Sequence, residues 1–285
     1  MSSVPISFLS DFGHADEFVG VVHGVVARIA PEVRVIDVTH GVPRGDIRAG
    51  ALALLRAIQY LPGGVALAVV DPGVGAGRRG IAARTEWGYF VGPDNGLLAP
   101  AVAMVGGADT IVSLDNPELR LPAEGATFDG RDLFGPAAAV LASGQAGFED
   151  LGPAVELESV TPLMIPLVDV APGRVEGRVL WVDHFGNAQT NIAPQDLAGA
   201  GLAKGNDLVL RIGAMEFPIG WVDAYGDVAS GEGLLHIDSY GQLAIAVREG
   251  RADDKYPLET NLVVTVKSPK VEPRRVDVQG VAPAR

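Results

Sequence analysis

Val4-Pro5-Ile6-Ser7-Phe8-Leu9 is an apolar run that stops at Ser10-Asp11-Phe12-Gly13, after which Phe18, Val22, Val25 and Ile29 recur at helical spacing until Pro31. The run has the length of a buried strand, and the recurrence is the apolar stripe of a helix that proline ends. The stretch reads as strand, polar loop, helix, and the pattern then repeats. Residues 33–38 (VRVIDV) form a second strand, Asp46 is placed to cap a helix through Leu54 and Ile58, and residues 65–70 (VALAVV) form a third strand. Short apolar strands alternating with helices predict an α/β fold, with a mostly parallel sheet and helices on both faces. Residues 81–84, 87–91 and 110–114 read as further strands, and Pro93-Asp94-Asn95-Gly96 as a turn. A helix follows Arg131-Asp132, carrying Leu133, Phe134, Ala137, Ala138 and Leu141.

At 285 residues the chain is near the upper size for one hydrophobic core. Pro153, Pro162, Pro166 and Pro172 lie outside any obvious helix and mark a linker. The expected division is an N-terminal α/β domain over 1–158, a linker over 159–172, a smaller β-rich C-terminal domain over 173–267 and a tail over 268–285. In the second domain, residues 174–183, 207–212, 233–237, 243–247 and 261–267 are short apolar runs separated by glycine-rich turns, which predicts a small barrel or sandwich.

The 22 basic and 35 acidic residues give a formal charge of −13, which weighs against nucleic acid or an anionic membrane surface as partner. The absence of cysteine excludes disulfides, thiolate metal sites and cysteine nucleophiles. No charge-free stretch near 20 residues reads as a membrane span and no basic-then-apolar leader opens the sequence, so a cytoplasmic location is expected. His14, His23, His40, His184 and His236 show no zinc spacing, and no metal is assigned. The glycines of Gly73-x-Gly75-x-Gly77 lack the lysine and spacing of a P-loop, and they do not spell a dinucleotide fingerprint.

Four polar segments remain. Asp11 follows the first strand, where its carboxylate suits the two hydroxyls of a ribose, although a cap or Asx turn is the ordinary use of aspartate there. Asp71 to Arg78 carries glycines at 73, 75 and 77, which let the loop fold back and set a carboxylate and a guanidinium around a water-sized space. A tight loop locked by a salt bridge explains the same residues. Asp129, in Thr127-Phe128-Asp129-Gly130-Arg131-Asp132, either caps a helix or points an acid into a cleft. Asp183-His184-Phe185-Gly186-Asn187 suits recognition of an amino-acid headgroup, or is simply an Asp- and Asn-stabilised turn.

Taken in order, Ser10-Asp11-Phe12-Gly13, Asp37-Val38-Thr39-His40, Asp71-Pro72-Gly73-Val74-Gly75 with Arg78-Arg79, Gly92-Pro93-Asp94-Asn95-Gly96, Gly130-Arg131-Asp132-Leu133-Phe134 and Phe185-Gly186-Asn187 resemble the S-adenosyl-L-methionine (SAM) hydroxide adenosyltransferases. These are also called SAM hydrolases and are related to the fluorinases and chlorinases. The resemblance runs from about residue 6 to residue 267. It implies an N-terminal α/β domain, a β-rich C-terminal domain, and a homotrimer with SAM bound between neighbouring subunits. It also implies hydrolysis of SAM at C5′ to adenosine and L-methionine, with SAM as substrate and no cofactor. The ribose-binding aspartate falls on Asp11, next to Phe12. The methionine-recognition segment falls on Asp183, Phe185 and Asn187, and the aromatic against adenine on Tyr225.

The family's catalytic Asp-Arg-His set falls on Asp71, Arg78 and Asp129, so an aspartate stands where the family usually reads histidine. Asp129 is expected either to be held by Arg78 or to share a proton with Asp71. Two other readings accompany hydrolysis. One is a SAM- or adenosine-binding protein that has lost turnover with the histidine. The other, disfavoured by Asp71, is a halogenase.

Overall fold

The computed structural model describes residues 3–269, so the expected tail lies outside the described residues apart from Ser268 and Pro269. The chain divides into two compact units, residues 1–164 and 165–285.

The first unit contains β1 (Ile6–Ser10), α1 (Phe18–Ile29), β2 (Val35–Thr39), α2 (Ile47–Ile58), β3 (Val65–Val69), β4 (Gly80–Arg84), β5 (Tyr89–Pro93), α3 (Ala99–Met104), β6 (Thr110–Ser113) and α4 (Gly135–Ser143). Its six-stranded sheet has the order β2-β1-β3-β5-β4-β6. The pairings β1–β2, β1–β3 and β3–β5 are parallel, whereas β4 runs antiparallel to β5 and β6. Every residue of β1 and β3 is buried, which is why both strands read as unbroken apolar runs instead of alternating ones.

The pleat sends successive side chains into different cores. Ile6, Phe8, Val65, Leu67 and Val69 pack with Val22 and Val26 of α1 and with Ala137 and Ala138 of α4. Leu9, Ala66 and Ala68 pack instead with Ala51, Leu54 and Ile58 of α2. The expected cap of α2 is present, because Asp46 accepts a hydrogen bond from the Ala49 backbone N–H at 2.9 Å. Ahead of α4, Gly130–Phe134 forms one wide π-helical turn, and a Cβ on Gly135 would fall 2.8 Å from the Gly130 carbonyl oxygen.

The sheet order decides where chemistry can sit. From β1 the chain crosses to β2 on one side and then to β3 on the other, so the loops leaving β1 and β3 diverge at the carboxyl edge of the sheet. Such a switch point is where open α/β sheets form a crevice. Asp11 leaves β1 there, and Asp71 follows β3.

The second unit contains β7 (Asp169–Ala171), β8 (Arg174–Val182), β9 (Ala188–Thr190), α5 (Pro194–Gly199), β10 (Asp207–Ile212), β11 (Met215–Trp221), β12 (Gly233–Ile237), β13 (Leu243–Val247), α6 (Ala252–Lys255) and β14 (Val263–Lys267). The order β14-β10-β11-β12-β13-β9-β8 closes through a β14–β8 pairing, making a seven-stranded barrel with β7 added beside β8. Its interior holds Val175, Val179, Leu208, Leu210, Leu235, Ile245, Val264 and Val266.

Gly177 lets the chain that leaves β9 lie close against β8. A Cβ there would fall 2.5 Å from both Asn191 Oδ1 and Ile192 Cγ1. Gly177→Ala is therefore expected to destabilise the protein by about 1–3 kcal/mol, the usual cost of overpacking a fitted interior. Denaturant unfolding checks this, and a midpoint unchanged from wild type would contradict it.

Candidate active site

The β3-to-β4 loop turns back on itself through Gly75 (φ 76°) and Gly77 (φ 84°). That reversal brings Arg78 onto Asp71. Arg78 Nε donates to Asp71 Oδ2 at 2.8 Å, and Arg78 Nη2 donates to the same oxygen. The guanidinium also lies 4.9 Å from the centre of the Phe134 ring, a cation–π contact that fixes its plane. Arg78 Nη2 reaches Asp129 Oδ2 at 2.6 Å as well. Burial works against the charge of Arg78, but the two carboxylates outweigh it and raise its pKa.

Asp129 is therefore held by Arg78, one of the two arrangements expected from sequence. Its side chain makes no helix-capping hydrogen bond, so the capping explanation does not describe it. Its other oxygen, Oδ1, accepts from Arg120 Nη2. Arg120 escaped the sequence reading because it lies in an aperiodic loop, nine residues before its partner. The loop is pinned by the Leu121 N–H, which donates to the Asp132 carbonyl at 2.9 Å.

One oxygen of this network stands apart. Asp71 Oδ1 is buried, and among the described residues nothing donates a hydrogen bond to it. Asp71 also lines a cavity of about 60 Å³, together with Asp11, Phe12, Val74, Phe128 and Asp129, among others. That is room for about two waters. The structure thus brings Asp11, Phe12, Asp71 and Asp129 to one cavity, with Arg78 behind it. Phe12 and Phe128, which line the cavity, pack edge to face with each other and with Phe18, at centroid separations of 5.2–6.2 Å.

Asp11 is fixed from the β2-to-α2 connection, where the Gly45 N–H donates to its Oδ2 at 2.7 Å. The loop that carries it rests on a chain of polar groups that runs from exposed Asp37 to buried His40 and Ser10. Asp37 Oδ1 lies 3.1 Å from His40 Nε2 and 2.8 Å from His23 Nε2, and His40 Nδ1 lies 2.7 Å from Ser10 Oγ. An ionised Asp37 only accepts, so His40 donates from Nε2 and its Nδ1 accepts the Ser10 hydroxyl proton. Ser10 Oγ in turn accepts from the Phe12 N–H, and the His40 carbonyl accepts from the Gly13 N–H. Burial pushes the His40 pKa down despite Asp37. At Asp37, burial opposes the charge, but hydrogen bonds from His40 and His23 prevail and lower its pKa.

The remaining candidates lie on the barrel unit. Asp183 Oδ1 accepts from the backbone N–H of Phe185 at 2.9 Å and of Asn187 at 2.8 Å, and Oδ2 accepts from Asn187 Nδ2 at 3.1 Å. This is an Asx-stabilised turn, the ordinary alternative for the segment, and it leaves Phe185 73% exposed. Phe185, Asn187 and Tyr225 line one cavity of about 520 Å³. Asp183 and Asn187 also line a neighbouring cavity of about 200 Å³, with Trp181, His236 and Asp238. Burial, with Asp183 and Asp238 nearby, raises the Tyr225 pKa and keeps the phenol neutral. Among the described residues, no three His, Asp or Glu side chains gather as a metal site, and no helix is long and apolar enough to cross a membrane.

An α/β sheet with acidic side chains gathered at its switch point, followed by a β-barrel, defines a two-unit protein with its charged cluster at strand ends. Family models described as the SAM hydroxide adenosyltransferase N-terminal and C-terminal domains match residues 6–152 and 177–265, and the chain belongs to this family. It is 50% identical over 250 residues to the (R)-S-adenosyl-L-methionine hydrolase of Salinispora tropica, covering 87% of this chain and 92% of the relative. The protein of the same name from Thermus thermophilus is 40% identical, with 91% and 98% covered. A fluorinase of Actinoplanes is more distant, at 28% identity with 92% and 96% covered. An uncharacterised conserved protein from Thermotoga maritima has a solved structure that matches with a TM-score of 0.85 at 35% identity, covering 92% of this chain and 99% of that one.

The lowered His40 pKa has a consequence for stability. Below the ordinary histidine value of 6.5 the unfolded chain takes up a proton that the folded ring resists, so His40 favours folding above that pH and this contribution is lost as pH falls. The melting temperature should therefore drop between pH 7.5 and pH 5.5, and His40→Gln should flatten that drop while lowering stability at pH 7.5. Parallel pH profiles for the two proteins would contradict the assignment.

Proposed function

We propose that this protein hydrolyses S-adenosyl-L-methionine at C5′, releasing adenosine and L-methionine. The observation that carries the reading is the Asp71 carboxylate at a water-sized cavity, with one oxygen locked by Arg78 and the other without a partner among the described residues. The substrate is already activated, because its sulfonium makes methionine a neutral leaving group. What the protein must supply is position. A water held by the Asp71 carboxylate presents a lone pair to C5′ on the side opposite sulfur. As the O–C5′ bond forms and the C5′–S bond breaks, sulfur keeps the electron pair and the water proton passes to Asp71 and on to solvent.

Charge supports a cationic substrate at this site. Asp11, Asp71 and Asp129 set three carboxylates against the guanidinium groups of Arg78 and Arg120, leaving a net negative environment for the sulfonium. Asp11 is placed to take the ribose hydroxyls beside Phe12. On the barrel unit, the Asp183 turn presents Asn187 and Phe185 with Tyr225, a surface suited to the methionine headgroup and the adenine ring. The exposure of Phe185 and Tyr225, at 73% and 43%, suits a homotrimer in which substrate and a neighbouring subunit cover them.

No organic cofactor or metal has a role in this displacement, and a cytoplasmic setting fits a protein without cysteine. The two cores of the first unit support a sheet covered by α1 and α4 on one face and by α2 and α3 on the other. The contact boundary after Met164 supports 159–172 as the linker.

Purified protein incubated with SAM is expected to release adenosine and methionine in equal amounts, as followed by liquid chromatography. Asp71→Asn and Arg78→Ala should each lower turnover by at least about 100-fold, and Asp129→Asn by about tenfold. Methylthioadenosine as the sole product, or tight SAM binding by calorimetry without turnover over hours, would overturn the hydrolytic reading.

A further inference from the structure

We infer that Arg120 is a positioning residue for this hydrolysis, acting through Asp129 and Arg78 to hold the Asp71 carboxylate in place at the cavity. The inference rests on the reading of the Asp71 cavity as the hydrolytic site. Four side chains form one continuous line. Arg120 Nη2 donates to Asp129 Oδ1, Asp129 Oδ2 accepts from Arg78 Nη2 at 2.6 Å, and Arg78 Nε and Nη2 both donate to Asp71 Oδ2. The line alternates cation, anion, cation, anion, and its last oxygen is the buried one that accepts nothing among the described residues.

The order of the line assigns different work to the two carboxylates. Each oxygen of Asp129 is taken by a guanidinium N–H, and guanidinium groups cannot accept a proton back. Asp129 is thus an anchor that fixes the rotation of Arg78, while proton acceptance belongs to Asp71. Without Arg120, the Asp129 carboxylate is free to turn about its χ angles, and Arg78 loses a fixed partner on the side away from Asp71. Asp129 is 6% exposed, so turning leaves a buried oxygen without its charged donor, which penalises the arrangement further. Arg120 itself is 41% exposed at its side chain and does not line the cavity, so it reaches the reaction only through this line.

An aspartate at position 129 and an arginine at position 120 therefore function as a pair. A histidine at 129 offers at most one acceptor nitrogen to two guanidinium groups. Restoring the family's usual residue in this chain is expected to lower turnover for that reason.

The test compares Arg120→Gln, Arg120→Lys and Asp129→His with the wild type, using steady-state kinetics on SAM and the 15N-edited signal of the Arg78 Nε–H. In Arg120→Gln, kcat is expected to fall about tenfold with KM within about twofold. Arg120→Lys should recover most of the loss, and Asp129→His should lose turnover with Arg120 present. The Arg78 Nε–H should exchange slowly with solvent in the wild type and faster in Arg120→Gln. An unchanged kcat in folded Arg120→Gln, a loss confined to KM, or an Arg78 signal indifferent to Arg120 would each overturn the inference. A wild type that forms neither adenosine nor methionine sinks the hydrolytic reading itself, and the Arg78 signal then still decides whether Arg120 acts through Asp129.

Discussion

The placement of β1 between β2 and β3, with all three strands parallel, is the constraint on which the candidate site depends. Parallel strands end together, so one edge of the sheet collects Asp11 after β1, His40 after β2 and the Asp71 loop after β3. A polar residue at that edge needs no buried path to reach a ligand, because the diverging loops already open a crevice. The apolar runs of β1 and β3 make this possible: buried along their whole length, they fix the strand ends as rigidly as the core itself.

Around that edge, the charged groups support one another in layers. Arg78 is oriented by Phe134 and shared between Asp71 and Asp129. The Ser10–His40–Asp37 chain does comparable work for the first loop, anchoring the backbone that carries Asp11 and Phe12. The buried members of such networks are stable only when nearly all of them are satisfied. The exception at Asp71 Oδ1 therefore stands out, since it calls for a partner that the described residues do not supply.

The sequence makes much of this legible, and the physical reasons differ by region. Strands β1 and β3 are readable because strands buried on both faces in parallel pairings are continuous apolar runs, and α2 because Asp46 is a cap with a mechanism. Strand β11 is not readable, since Pro218 and Gly220 interrupt it. The barrel tolerates that proline because β11 pairs with β12 only at Gly220 and Trp221, leaving Pro218 without a partner strand on that side. Strands β7 and β9 have three residues each, too few for a period to show. In the site, Asp71 and Arg78 are suggested by the glycines between them. Arg120 is invisible because its partnership with Asp129 exists only once Leu121 is tied to the π-helical turn.

The central claim is that a water seated at Asp71 becomes the 5′ hydroxyl of the product. A single turnover with SAM in H2(18)O, read by mass spectrometry, tests it most directly. One heavy oxygen should appear in adenosine, at the 5′ position, and none in methionine. Adenosine without the label, or label carried by methionine, would contradict the account.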